Sequence, residues 1–379
     1  MTDSASPTQW IDLAQCDDSR DVVHRAVACL AQGGVVGLAS ETVYGLAASA
    51  LNPAGVGRLR ALRGEDRGPL TLLVKGADEA RDWVPGLSAT GGRLARRCWP
   101  GPVSLVFPRP GGDGLFGRLP DEVRPLISPD GDVALRCPED RLMRQVLRFC
   151  PSPLVLGLVR NPDRTPATTA EPLRSLAGVD MAIDSGPTRL GRVATAVRVE
   201  DDRWSIAREG AVDLDTLTRR SGVIIGFICT GNTCRSPMAE AICKVLLARR
   251  LGCATGELEA RGYSVVSAGV AACHGAPAAA HAAEIVRAMG GSLAHHRSRP
   301  VSLELLREAD RLFAMTADHL DALLAVAPES EPHATLLDPE GGDVPDPIGS
   351  DQATYRRTAQ AIERLLDRRL DELGVFPPG

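Results

Sequence analysis

Apolar and polar positions along this chain follow two rhythms. Up to about Asp213, short β-branched runs such as Gly34 to Leu38 and Pro153 to Leu158 alternate with stretches of helical spacing, a pattern that predicts a mixed α/β unit. Another strand-like run, Ala194 to Val199, is followed by charged residues and then by Trp204 to Val212. A helical linker, Asp213 to Arg220, leads into a new beginning. There Val223 to Ile228 is continuously apolar over the length of a strand, as expected for a strand covered on both faces in a parallel sheet. A loop of small and polar residues follows, Cys229-Thr230-Gly231-Asn232-Thr233-Cys234-Arg235-Ser236, and then a helix with Pro237 suited to its first turn. Further strands are predicted at Tyr263 to Ser267, Arg311 to Met315 and around Leu336 to Leu337, with helices near Ala279 to Met289 and Leu303 to Glu308. This second part reads as a small open α/β sheet whose ligand site lies at the carboxyl ends of its strands.

Composition agrees with two domains. At 379 residues the chain is longer than one hydrophobic core usually serves. Hydrophobic residues at 44% and charged residues at 24% supply enough apolar surface to bury. The formal net charge of -5 opposes a general nucleic-acid binder, and Arg93, Arg96 and Arg97 read as a solvated helix face. The ten cysteines run from Cys16 to Cys273 without paired spacings, and no secretion signal precedes them. That pattern predicts free thiols in a reducing cytoplasm and no zinc site. No apolar run approaches the roughly 20 residues that span a bilayer, so no membrane insertion is expected. Nothing in the sequence sets the oligomeric state.

The loop after Val223 to Ile228 carries the chemistry. Cys229 and Arg235 bracket a strand-to-helix loop, where the backbone N–H groups of Thr230, Gly231, Asn232, Thr233 and Cys234 and the helix N-terminus can surround a phosphate dianion. A thiol at the floor of such a cradle has its nucleophilic thiolate favoured by the same groups. Arg235 offers a planar fork for two phosphoryl oxygens and for charge developing in the transition state. The Ser236 hydroxyl can donate to the Cys229 sulfur, while Asn232 is expected to fix the loop shape. Cys234 is a candidate redox partner, able to form a disulfide with Cys229 under oxidants. The alternative is a small buried residue.

Cys229 through Glu240 resembles the signature of the low-molecular-weight protein tyrosine phosphatase family. The resemblance continues through Ser267-Ala268-Gly269, His296 to Arg299, Ala314-Met315-Thr316 and Val344 to Gly349, placing this domain at 222–375 after a linker at 214–221. It implies a cofactor-free hydrolase that acts on a phosphorylated protein through a phosphocysteine. It also implies a general acid on an Asp-Pro loop, matched by Asp346-Pro347 rather than by the earlier Asp338-Pro339. Thr233 resembles the bacterial protein arginine phosphatase branch, whose threonine stands where tyrosine-directed members carry an aliphatic residue. Ile348 stands where an aromatic wall for a phenyl ring is usual in the tyrosine branch. Both therefore enter as selectivity residues, with phosphoarginine preferred and phosphotyrosine the alternative. Arsenate reduction needs resolving cysteines in a later segment, and no cysteine follows Cys273.

Residues 10–213 resemble the YrdC-type threonylcarbamoyl-adenylate synthase family, through Ser40-Glu41-Thr42-Val43-Tyr44-Gly45-Leu46 and Trp99 to Leu105. Ala134 to Pro138, Pro166 to Ala170, Asp184 to Pro187 and Ala207 to Ala211 add to the match. The resemblance implies a mixed α/β fold with a concave cavity for ATP, threonine and bicarbonate, with magnesium, serving transfer RNA modification. Thr42, Tyr44, Arg63, Arg67, Arg136, Thr195 and Arg208 are the candidate cavity residues. Several motif positions depart from the family. Leu62-Arg63-Gly64 replaces a lysine-any-arginine pair, Gly157-Leu158-Val159-Arg160 replaces Thr-Ser-Ala-Asn, and Ala194-Thr195-Ala196 replaces Ser-Thr-Val. Each lost hydrogen bond costs roughly 1–3 kcal/mol where a buried partner is left unpaired. The departures point to a binding module, with an active synthase as the alternative.

Overall fold

A computed structural model describes residues 7–64, 68–108 and 113–373. The chain divides into two compact units, Met1–Arg220 and Ser221–Gly379.

In the first unit the strands are β1 (Gln9–Asp12), β2 (Val36–Ala39), β3 (Tyr44–Ser49), β4 (Thr71–Leu73), β5 (Val103–Pro108), β6 (Asp132–Arg136), β7 (Leu154–Leu158), β8 (Met181–Asp184), β9 (Thr195–Glu200) and β10 (Arg203–Arg208). Among the described residues they form one ten-stranded sheet in the order β1-β8-β2-β3-β7-β4-β6-β5-β9-β10. Pairing is mixed: β2 and β3 run antiparallel, whereas β5 and β9 run parallel. Side chains alternate between the two faces, so Tyr44, Leu46 and Ala48 enter one core and Ala47 the other. Helices Ser19–Ala31 and Arg141–Phe149 cover one face through Val22, Ala26, Leu30, Met143 and Val146. Helices Pro53–Leu62 and Ala89–Cys98 cover the other through Val56, Leu59, Leu94 and Ala95. The expected helix after Asp213 is Leu214–Ser221, and its Leu217 is fully buried in the first unit's core. The arginine face needs correcting in part. Only Arg96 of the trio is exposed, because Arg93 donates to the Thr90 hydroxyl at 2.7 Å and Arg97 to the Arg220 carbonyl at 3.0 Å.

The second unit is doubly wound. Strands β11 (Val223–Cys229), β12 (Tyr263–Gly269), β13 (Arg311–Ala314) and β14 (Ala334–Leu336) are all parallel, in the order β12-β11-β13-β14. Central β11 explains its unbroken apolar sequence. Phe227 stacks on Phe313 in one core at 5.7 Å, and Ile228 packs with Leu306, Leu312 and Leu323 in the other. Helices Arg235–Leu251, Ala280–Ala288 and Gln352–Glu372 serve the first of these cores, and Leu303–Glu308 and Ala317–Val326 the second. The chain leaves β11 to one side for β12 and returns to the other side for β13. That reversal opens a crevice beyond the carboxyl end of β11. Among the described residues no helix is long and apolar enough to cross a membrane.

Candidate active site

Cys229 is the last residue of β11 and only 3% exposed. The loop that follows turns sharply at Asn232, whose φ of 53° is left-handed, and the helix begins at Arg235 with no side chain capping its N-terminus. An uncapped first turn leaves backbone N–H groups to serve an anion. Asn232 is fully buried and ties the loop to its surroundings. Its amide donates to Ser236 Oγ at 3.0 Å and to Ser267 Oγ at 2.9 Å, while its Oδ1 accepts from the Arg299 N–H at 2.9 Å. Its backbone carbonyl lies 2.8 Å from His296 Nε2. The Ser267 hydroxyl accepts from Asn232 and therefore gives its own proton to Glu240, at 2.7 Å. Ser236 also accepts from Asn232, leaving one proton for the Cys229 sulfur at 3.0 Å or the Ala268 carbonyl at 3.3 Å. Gly269 makes room for the loop, since a Cβ there would meet the Thr230 carbonyl oxygen at 2.4 Å.

Arg235 is 5% exposed, and its guanidinium is held from three directions. It donates to the Val344 carbonyl at 3.3 Å, to Thr230 Oγ1 at 3.3 Å and to Asp346 Oδ2 at 2.6 Å. The Asp346 side chain is 38% exposed, between a buried cation and solvent. The other aspartate, Asp338, turns its carboxylate onto the Glu340 N–H at 2.9 Å. Cys229, Ser236, Arg235 and Asp346 thus converge on the end of β11. The Thr230 side chain engages Arg235 and His319 (Nε2 at 2.8 Å), a link that the sequence did not predict, and its backbone lines the loop.

In the first unit Arg136 is buried in an ion pair with Glu41 at 2.6 Å, and it also donates to Thr42 Oγ1 at 3.0 Å. Glu41 accepts in addition from the N–H groups of Glu139 and Asp140. The Tyr44 hydroxyl donates to the Gly186 carbonyl at 2.7 Å, and burial pushes its phenol up to about 12. Thr195 both donates to and accepts from the Val212 backbone at 2.8 Å. Arg208 donates to the Ala194 carbonyl at 3.2 Å and Arg63 to the Gly68 carbonyl at 2.9 Å. Arg67 lies outside the described residues. Thr42 and Arg136 are therefore brought together, whereas the hydroxyls of Tyr44 and Thr195 bond to backbone. Gly157 is filled by its neighbour, for a Cβ there would meet Arg63 Cδ at 2.6 Å.

A hollow of about 330 Å³ beside Glu41 is lined by Ser40, Glu139, Asp140, Arg141 and Arg189 among others. Glu41 is paired with Arg136 and Glu139 with Arg189, and the Asp140 carboxylate caps the following helix at the Met143 N–H, at 2.8 Å. Arg141 also lines a second hollow, of about 440 Å³, together with Lys75, Arg144 and Arg148, and that positive charge suits the phosphates of a nucleotide.

Residues 224–374 match the family model "Low molecular weight phosphotyrosine protein phosphatase". A protein-arginine-phosphatase of Geobacillus stearothermophilus is 34% identical over 39% of this chain and 93% of its own length. The second unit belongs to this phosphatase family. The low-molecular-weight protein-tyrosine-phosphatase Etp of Escherichia coli K12 is also 34% identical, over 36% of this chain and 85% of its own length. Residues 28–210 match the Sua5/YciO/YrdC model, described as "Telomere recombination". A threonylcarbamoyl-AMP synthase of Thiobacillus denitrificans is 34% identical over 42% of this chain and 80% of its own length, and the first unit belongs to that family.

Within the phosphatase unit, the Thr233 side chain is half-buried, with its Oγ1 3.7 Å from the Cys234 sulfur. Cys234 is buried, and its sulfur meets the Tyr355 hydroxyl at 3.1 Å. Burial and that contact push the Tyr355 phenol up. Both Cys229 and Cys234 are free thiols. Ile348 is 67% exposed and follows Asp346 on its loop, its N–H donating to Asp346 Oδ1 at 3.2 Å. Sequence reading did not single out Ser267, Glu240, Thr316, His319 or Tyr355. Ser267, Glu240 and Thr316 lie in matched segments, but no spacing in the chain links His319 or Tyr355 to Cys229. Among the described residues no cluster of histidine, cysteine and acid could hold a metal ion.

Proposed function

We propose that the phosphatase unit hydrolyses phosphoarginine in proteins through a phosphocysteine on Cys229, with phosphotyrosine the second substrate class. The observation that carries this reading is the meeting, at one strand end, of a buried thiol 3.0 Å from a serine hydroxyl and a buried arginine paired with Asp346. The Cys229 thiolate forms an S–P bond as the bond from phosphorus to the guanidine nitrogen breaks, and Asp346 gives that nitrogen its proton. Water then attacks phosphorus, Asp346 takes a proton from it, and the S–P bond breaks with the Ser236 hydroxyl available to the departing sulfur. Arg235 neutralises the equatorial oxygens in both steps. None of these steps needs a cofactor.

The two curated phosphatases are equally identical, so the choice of arginine rests on Thr233, on the non-aromatic Ile348 and on the arginine-phosphatase relative. Release of phosphate from an aryl phosphate is expected to vanish in Cys229→Ser, and unchanged turnover would refute the nucleophile. With phosphoarginine and phosphotyrosine peptides in competition, Thr233→Ile is expected to move preference toward phosphotyrosine. No movement removes the reason for preferring arginine. For the first unit the reading is a binding module. Threonine- and bicarbonate-dependent pyrophosphate release from ATP would restore the alternative, a synthase serving transfer RNA modification, which the 34% identical synthase supports.

A further inference from the structure

One buried histidine of the phosphatase unit has no part in the chemistry above, yet it sits one residue away from the arginine clamp. His319 is 5% exposed, on the first turn of the helix Ala317–Val326. Its Nδ1 is 2.7 Å from Thr316 Oγ1, the side chain that caps the same helix. Its Nε2 is 2.8 Å from Thr230 Oγ1, which accepts in turn from Arg235 Nη2 at 3.3 Å. Helix cap, ring, hydroxyl and guanidinium thus form one chain of contacts from a rigid element to the group that would clamp the phosphoryl oxygens.

Proton counting gives the chain a direction. Thr230 Oγ1 accepts a hydrogen bond from Arg235, so its own hydrogen is left to donate, and Nε2 is the acceptor within reach. The neutral ring then carries its hydrogen on Nδ1 and gives it to Thr316 Oγ1. An imidazolium would have hydrogens on both nitrogens, and Nε2 would present one to an oxygen already receiving Arg235. Of the other two partners of Arg235, Asp346 must leave it to handle protons, and the Val344 carbonyl holds only the other terminal nitrogen, Nη1, at the same 3.3 Å. Thr230 is the partner that can keep hold of Nη2 throughout.

We propose that neutral His319 is a positioning residue for Arg235, acting through Thr230; this rests on the phosphatase reading. The groups bearing on the ring are Arg235, Asp346, Asp343 and its own neighbour Asp318. Burial first, and then Arg235, hold the ring below the ordinary histidine value of 6.5, so it stays neutral at physiological pH. Protonation at lower pH reverses the Nε2 contact and sets two cations on one hydroxyl oxygen, which weakens the chain.

The test uses the full chain and two readouts, turnover of an aryl phosphate and affinity for orthovanadate. His319→Ala and Thr230→Val are each expected to lower kcat/KM by about tenfold, the scale of one hydrogen bond to a charged group. The double variant is expected to lose no more than Thr230→Val alone, because both changes cut the same chain. His319→Gln, whose amide reaches toward the Nε2 position, is expected to recover most of the loss and to lack the part of the acid limb that titrates below the ordinary histidine value. Additive losses, an unaffected His319→Ala, or a glutamine variant with the wild-type acid limb would each overturn the proposal. If His319→Ala does not fold, the pH profiles of wild type and His319→Gln decide. A wild-type chain that binds vanadate through His319 without turning over substrate would sink the phosphatase reading and leave the positioning role standing. Turnover without dependence on His319 would do the reverse.

Discussion

Asp346 and Arg235 show how much single residues carry here. Asp346→Asn is expected to lower kcat by about 10²–10⁴-fold for substrates whose leaving group needs a proton, and far less for an aryl phosphate with an acidic phenol. Equal losses in steady-state assays on the two substrate types would remove Asp346 from the acid role. Thiol chemistry is also a residue-scale matter. Burial pushes Cys29 and Cys137 up to about 11, so both stay protonated near neutral pH and gain thiolate only as pH rises toward that value. Exposed Cys273 should therefore be alkylated well before them, as peptide mass analysis after short iodoacetamide treatment would show. At this scale the residue types and order in the chain were enough to pick out Cys229, Arg235, Ser236 and Asp346 as candidates, and the fold brings them to one strand end. The sequence carried no sign of the link from the Thr230 hydroxyl to a histidine 89 residues along the chain.

The working element is the strand, loop and helix from Val223 to Leu251, and what holds the loop comes from outside it. Asn232→Ala would leave the Arg299 N–H without its acceptor, take a donor from the Ser236 and Ser267 hydroxyls, and ask alanine to hold a left-handed φ. A loss of roughly 1–3 kcal/mol is expected in urea unfolding of this unit, and an unchanged midpoint would mean that the loop holds itself. Gly269→Ala forces the Thr230 carbonyl away from β12. Its turnover should fall while the core of the unit stays intact. Strand and helix positions in this region were legible because apolar runs and a helix-starting proline mark them locally. The helices Ala317–Val326 and Gln352–Glu372 were not read in advance. The second places only Tyr355, Thr358, Ala359, Ile362, Leu366 and Leu370 inside, and its many charged residues mask that stripe.

At the scale of the whole chain there are two families and two sets of cores. The ten-strand order of the first unit was not legible, because pairs such as β1 with β8 join residues far apart in sequence, and no local pattern encodes that choice. Its Glu41 and Arg136 form a buried pair with side chains 2% and 4% exposed. Glu41→Gln is expected to destabilise this unit by about 3–5 kcal/mol, the cost of leaving a buried cation without its counterion. Turnover that depends on Cys229 should not change. Calorimetry should show the transition of the first unit moving alone, and a concerted shift of the whole trace would mean that the two units unfold as one.

The Arg235–Asp346 contact has a kinetic corollary. A carboxylate already seated on the guanidinium acts as a built-in rival to any incoming oxyanion, so inorganic phosphate should be a feeble product inhibitor. Substitution of Asp346 by alanine should make it a stronger one, since nothing would then be waiting to push the product out.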